Sequence, residues 1–109
     1  MDMPLSARLR KQLDGPRDGA LLRFSLGNAL LAEGDIDAAV AAFRAATGFD
    51  PNYSAAWKLL GNALAESGDR ASAIHAYQCG IEVADARGDK QAAKEMQVFL
   101  RRLDKQREP

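Results

Sequence analysis

The stretch LGNALLAEGD, Leu26 to Asp35, returns as LGNALAESGD, Leu60 to Asp69, with seven of ten positions unchanged at an offset of 34 residues. Self-similarity at a fixed period marks one supersecondary unit written twice. With 20–53 as unit one and 54–87 as unit two, the correspondence extends outward: Leu30 falls on Leu64, Ala39 on Ala73, Val40 on Ile74, Phe43 on Tyr77 and Ala46 on Gly80.

The spacing identifies each unit as a helix pair. Leu22, Leu26, Ala29 and Leu30 recur at helical intervals, which predicts an amphipathic helix over 19–33. Gly34 stops it, since glycine reaches the left-handed conformation without steric cost. Asp35 then caps a second helix, which carries Ile36, Ala39, Val40, Phe43 and Ala46 on one face. Asp50-Pro51-Asn52 breaks that helix. Unit two repeats the scheme with Trp57, Leu60, Ala63 and Leu64, a Gly68-Asp69 turn, then Ala73, Ile74, Tyr77, Gly80 and Ile81. Gly27 and Gly61 sit mid-helix, where each costs about 1 kcal/mol relative to alanine. A close approach of two helix backbones would explain them, with Phe43, Trp57 and Tyr77 filling the space the small residues leave.

Both flanks read as covers for the two-unit stack. Leu5, Leu9 and Leu13 lie four apart ahead of an Asp14-Gly15-Pro16 stop, predicting an N-terminal helix over 4–14. After Gly88, Asp89 can cap a last helix with an apolar stripe of Ala92, Ala93, Met96, Phe99, Leu100 and Leu103. Residues 106–109 are expected to fray.

Composition narrows the functional classes. Fifteen Lys plus Arg balance fifteen Asp plus Glu, which argues against a dedicated nucleic-acid binder. The charge is uneven: residues 20–86 hold four basic and eight acidic side chains, and 87–109 hold seven basic, Arg107 among them, and four acidic. The single cysteine, Cys79, allows no internal disulfide. The opening MDMPLSARLRKQL lacks the apolar core of a signal peptide, and no run is long enough to span a bilayer. A cytoplasmic location is the expectation.

These residues resemble the tetratricopeptide repeat family, whose 34-residue helix–turn–helix reads W-x2-L-G-x2-Y, then A-x3-F, then P. Unit two matches with Trp57, Leu60-Gly61, Ala73 and Tyr77, and unit one with Leu26-Gly27, Ala39, Phe43 and Pro51. Arg23 replaces the first aromatic, Leu30 and Leu64 replace tyrosine, and Asp85 replaces the second proline. The missing proline predicts that the second helix of unit two runs on to Gly88. The resemblance implies an all-α fold: one domain over 1–109, a right-handed stack of antiparallel helix hairpins with about six helices. Its parts are a helix at 4–14, repeats 20–53 and 54–87, and a capping helix at 89–105.

The family's first helices line a concave groove that holds peptides. The groove positions that the resemblance implies are Leu21, Phe24, Asn28 and Leu31 in unit one, and Ala55, Lys58, Asn62 and Ala65 in unit two, with Glu66 at the rim. An asparagine amide both gives and accepts hydrogen bonds to a peptide backbone. Lys58-x3-Asn62 also resembles part of a carboxylate-holding clamp, although the last helix offers no further clamp residues in register. Leu21, Phe24 and Leu31 are either covered by Leu5, Leu9 and Leu13 of the N-terminal helix, the preferred reading, or left open for a partner.

Other chemistry is thin. His75 and Cys79 lie four apart on one helix, but a zinc site would lack its remaining ligands, and nothing activates a thiol nucleophile. Lys90, Lys94, Arg101 and Lys105 read as a solvated face. The expectation is therefore a non-enzymatic adaptor for a protein or peptide, with no cofactor, metal, nucleic acid or membrane insertion. Its rival is a structural module that self-associates weakly or joins a larger assembly through an exposed helix face, without a peptide site.

Overall fold

The computed structural model describes residues 2–106. Six helices and no strand are found among them: α1 (Leu5–Arg10), α2 (Ala20–Ala32), α3 (Ile36–Phe49), α4 (Ser54–Ser67), α5 (Arg70–Ala86) and α6 (Lys90–Lys105). Helices α2 and α3 form one antiparallel hairpin and α4 and α5 a second; α3 packs on α4, α6 on α5 and α1 on α2. Gln106 caps α6, and the expectation of fraying at 107–109 lies outside the described residues.

One turn chemistry is used three times. Gly34, Gly68 and Gly88 have φ of 82°, 91° and 77°. In each case the following aspartate's N–H reaches back to a helix carbonyl, Asp35 to Leu30 at 2.9 Å, Asp69 to Leu64 at 3.0 Å and Asp89 to Ala84 at 2.8 Å. That bond satisfies an orphan carbonyl at the end of one helix. The same aspartate side chain then accepts from the first turn of the next helix, at Ala38 (3.3 Å), Ser72 (3.2 Å) and Ala92 (3.1 Å). A Gly-Asp pair thus stops one helix and starts another. Where Asp50-Pro51-Asn52 ends α3 at Phe49, the second unit has no proline, and α5 continues to Ala86 as expected.

The core is a large-small interlock with a different contact from the one anticipated. A Cβ built on Gly27 would stand 2.5 Å from Phe43 Cε1, and one on Gly61 would stand 2.6 Å from Tyr77 Cδ1. What meets each glycine is thus an aromatic face from the hairpin's other helix. Gly80 gives way to both neighbours: its Cβ would lie 2.9 Å from Trp57 Cβ and 3.2 Å from Met96 Cε. Phe43, Leu60 and Met96 are the largest of the fully buried side chains. Close packing of this kind leaves no room for a methyl group.

The N-terminal segment departs from expectation. Helix α1 ends at Arg10 and tight i→i+3 turns follow, with Gln12, Leu13 and Gly15 N–H groups bonded to Leu9, Arg10 and Gln12 carbonyls. Asp14 then takes a φ of 64°. Leu9 and Leu13 pack on the core, but Leu5 is 49% exposed. The buried residue of α1 is Ser6, whose N–H and hydroxyl both donate to the Glu33 carboxylate.

Helix α1 also obeys the repeat. A crevice of about 230 Å³ is lined by Arg44, Trp57, Leu60, Leu64, Ser72 and Ala76, among others. A smaller one, about 140 Å³, is lined by Arg10, Arg23, Leu26, Leu30, Ala38 and Ala42, among others. Each of these residues lies 34 positions before its counterpart. Helix α1 therefore occupies the seat of a repeat's second helix. Arg23 stands where Trp57 stands, facing an aspartate instead of an apolar wall.

Candidate functional site

The nine groove positions fall in two rows, on α2 and α4. On α2, Leu21 is 70% exposed, and Asn28 is also exposed. Phe24 is half-buried, its ring centroid 4.9 Å from that of Tyr53 and 5.9 Å from that of Phe43. Leu31 is half-buried. The preferred cover of this row by α1 is not what is found. Leu21 is open, Leu5 is turned largely to solvent, and Leu13 lies beside Leu26 and Leu30 in the crevice. The short α1 packs on the flank of α2 where a preceding repeat would sit. Tyr53 links the rows, because it precedes α4 directly and stacks on Phe24.

On α4, Ala55, Lys58, Asn62 and Ala65 are half-buried and Glu66 is exposed. A hollow of about 300 Å³ lies between α4 and α6, lined by Ser54, Ala55, Lys58, Asp89, Gln91, Ala92 and Glu95. Lys58 Nζ lies 3.3 Å from Glu95 Oε2 across it. The clamp-like reading needed more cations here; α6 brings a carboxylate. Gln91 and Glu95 line this hollow but are not among the expected groove positions, because α6 lacks the Leu-Gly signature in register, although the third Gly-Asp turn is the clue that α6 lies alongside α4.

Asn62 has a partner beneath it. The Tyr77 hydroxyl, rising from α5, donates to Asn62 Oδ1. Burial pushes the Tyr77 phenol up to about 12, so it stays a protonated donor. In unit one Phe43 stands at the Tyr77 position and offers Asn28 no hydroxyl.

His75 Nε2 and Cys79 Sγ lie 3.5 Å apart. Burial, then the Glu82 charge, pushes the thiol up, which disfavours the nucleophilic thiolate. No group of three or more metal-ligating side chains occurs among the described residues. No described helix is long and apolar enough to cross a membrane.

The repeat geometry agrees with comparison to known proteins. A tetratricopeptide repeat family model matches residues 30–94, more than half of the chain. The chain belongs to the tetratricopeptide repeat family. A TPR repeat-containing protein of Pseudomonas aeruginosa is 48% identical over 99 residues, covering 91% of this chain and 94% of that one. The solution structure of a Bordetella parapertussis protein superposes with a TM-score of 0.80 at 46% identity, covering 97% of this chain and 91% of that one. The crystal structure of a Salinibacter ruber tetratricopeptide repeat domain protein gives a TM-score of 0.74 at 25% identity, covering 80% and 97%. Membership in this family points to protein–protein interaction.

Proposed function

We propose that the protein is a non-enzymatic, cytoplasmic adaptor that holds an extended peptide or protein segment against the α2 and α4 rows. The observation that carries this reading is the Leu21, Phe24, Asn28 and Leu31 row, where Leu21 stands 70% exposed, Asn28 is exposed and Phe24, half-buried, packs on the Tyr53 ring. Exposed apolar surface rimmed by polar groups favours a partner. The two rows differ in chemistry. The α2 row is mainly apolar, and the α4 row offers an ion pair and an amide. A segment with apolar side chains at one end and hydrogen-bonding backbone at the other suits both.

The test is capture of partners from a cell extract by the intact chain and by a Leu21→Ser, Asn62→Ala variant, with sedimentation of the chain alone beside it. Loss of partner with the variant supports the groove. Equal recovery by both proteins overturns it, and concentration-dependent self-association with no partner favours the structural module.

A further inference from the structure

We propose that Tyr77 is a positioning residue for Asn62, fixing that amide as a hydrogen-bond donor for a main-chain oxygen of the segment lying along α4. The inference rests on the groove reading above and adds a polarity to it.

Four observations converge. The Tyr77 hydroxyl donates to Asn62 Oδ1, which leaves the amide nitrogen as the branch turned away from the phenol. Tyr77 has little freedom to leave: it is 2% exposed, its ring lies on Gly61, and the Phe99 ring centroid is 5.8 Å away on its α6 side. Asn62 Nδ2 has no hydrogen-bond partner among the described residues, and no side-chain nitrogen or oxygen buried there lacks one. That nitrogen therefore reaches solvent. Finally, unit one supplies a natural contrast, with Asn28 exposed and Phe43 at the position of Tyr77.

The physical consequence follows from the planarity of the amide. An asparagine free in water presents oxygen or nitrogen by rotation, and so reads either a donor or an acceptor. In the rotated amide an N–H would donate to the phenol oxygen instead, and the phenol proton, on a residue that is 2% exposed, would have to give up its acceptor. Leaving such a group unpaired costs more than the hydrogen bond contributes. Asn62 is thus held ready to donate, and Asn28 is free to do either. The α4 end of the groove selects a carbonyl oxygen at this point and discriminates against an N–H.

The probe is a peptide selected by the intact chain from a phage-displayed random library and located by chemical-shift changes. Its affinity is measured by calorimetry for the wild type, Asn62→Ala, Tyr77→Phe and the double variant. Tyr77→Phe keeps the ring and reproduces what unit one already has, and its thermal melt confirms that it folds. We expect Asn62→Ala and Tyr77→Phe each to weaken binding, the latter roughly five- to tenfold, as for loss of one hydrogen bond. The double variant should be no weaker than Asn62→Ala. Without peptide, the Asn62 side-chain amide signals should move in Tyr77→Phe while those of Asn28 stay. If the peptide binds in the groove but Tyr77→Phe changes neither affinity nor those signals, or if Asn62→Ala is without effect, this inference is overturned and the groove reading stands. If no selected peptide perturbs Phe24, Asn28, Lys58 or Asn62, the groove reading itself fails and takes this inference with it.

Discussion

Arg23 grips Asp18 with two nitrogens, Nε at 2.8 Å and Nη2 at 2.7 Å, while the backbone N–H groups of Asp14 and Gly19 bind the same carboxylate. The Arg23 bond, then the Asp14 N–H, holds Asp18 well below the usual carboxylate range. The folded protein therefore binds that proton less readily than the unfolded chain. The stabilisation is complete above the ordinary value of 3.8 and is lost as pH falls below it toward the lowered folded value. Urea unfolding of wild type and Asp18→Asn should show a constant stability difference from pH 7 to about pH 5. The difference should narrow below about pH 4, and one that widens on acidification would contradict this account.

Gly27→Ala and Gly61→Ala should each destabilise, against helix propensity. Propensity favours alanine by about 1 kcal/mol, but the methyl group would stand within 2.5 Å of Phe43 or 2.6 Å of Tyr77. Overpacking of this kind costs about 1–3 kcal/mol. Chemical denaturation should show a net loss for both variants, with Gly34→Ala as a control in which the cost comes from φ alone, since nothing lies within 4 Å of its Cβ.

Leu21→Ser and Leu60→Ala should separate surface from core. Leu21 is 70% exposed and Leu60 1%. The first change should move unfolding free energy by no more than about 0.5 kcal/mol, and the second should cost about 2–5 kcal/mol. Equal effects would mean that Leu21 is covered in solution.

The Lys58–Glu95 pair should matter little for stability. Their side chains are 29% and 42% exposed, and ion pairs in such settings contribute about 0.2–1 kcal/mol. A double-mutant cycle with alanine at both positions should give a coupling in that range that shrinks in 1 M salt. A larger, salt-insensitive coupling would show that the hollow between α4 and α6 is drier than its geometry indicates.

Glu33→Ala should release α1. Ser6 is buried and gives two hydrogen bonds to that carboxylate, so its hydroxyl would be stranded at a cost of about 1–3 kcal/mol. Hydrogen exchange should accelerate in Leu5–Arg10 and remain unchanged in α5. Uniform acceleration would instead mean that α1 docking is coupled to the whole stack.

The hairpins were legible because their signals are local and repeated. Gly34 and Gly68 with their aspartates, the Asp50-Pro51 break and the apolar rows at helical spacing each act within a few residues. The position of α1 was not legible, because its seat is defined by shape. Leu5, Leu9 and Leu13 suggest an apolar lid, yet the turns after Arg10 and the Arg23–Asp18 pairing draw the segment to the flank of α2. The proposed groove positions follow from the family resemblance and the repeat register. Tyr77 and Glu95, which bond Asn62 and Lys58, come from other helices and required the packing to be seen.

The matching crevices around Trp57 and Arg23 carry an engineering corollary. Because the second helix of each unit presents the same seat to its successor, one more copy of 34 residues spliced between Tyr53 and Ser54 would find mating surfaces already cut on both sides. Lengthening the stack this way would multiply the rows presented by α2 and α4 while leaving the original termini untouched.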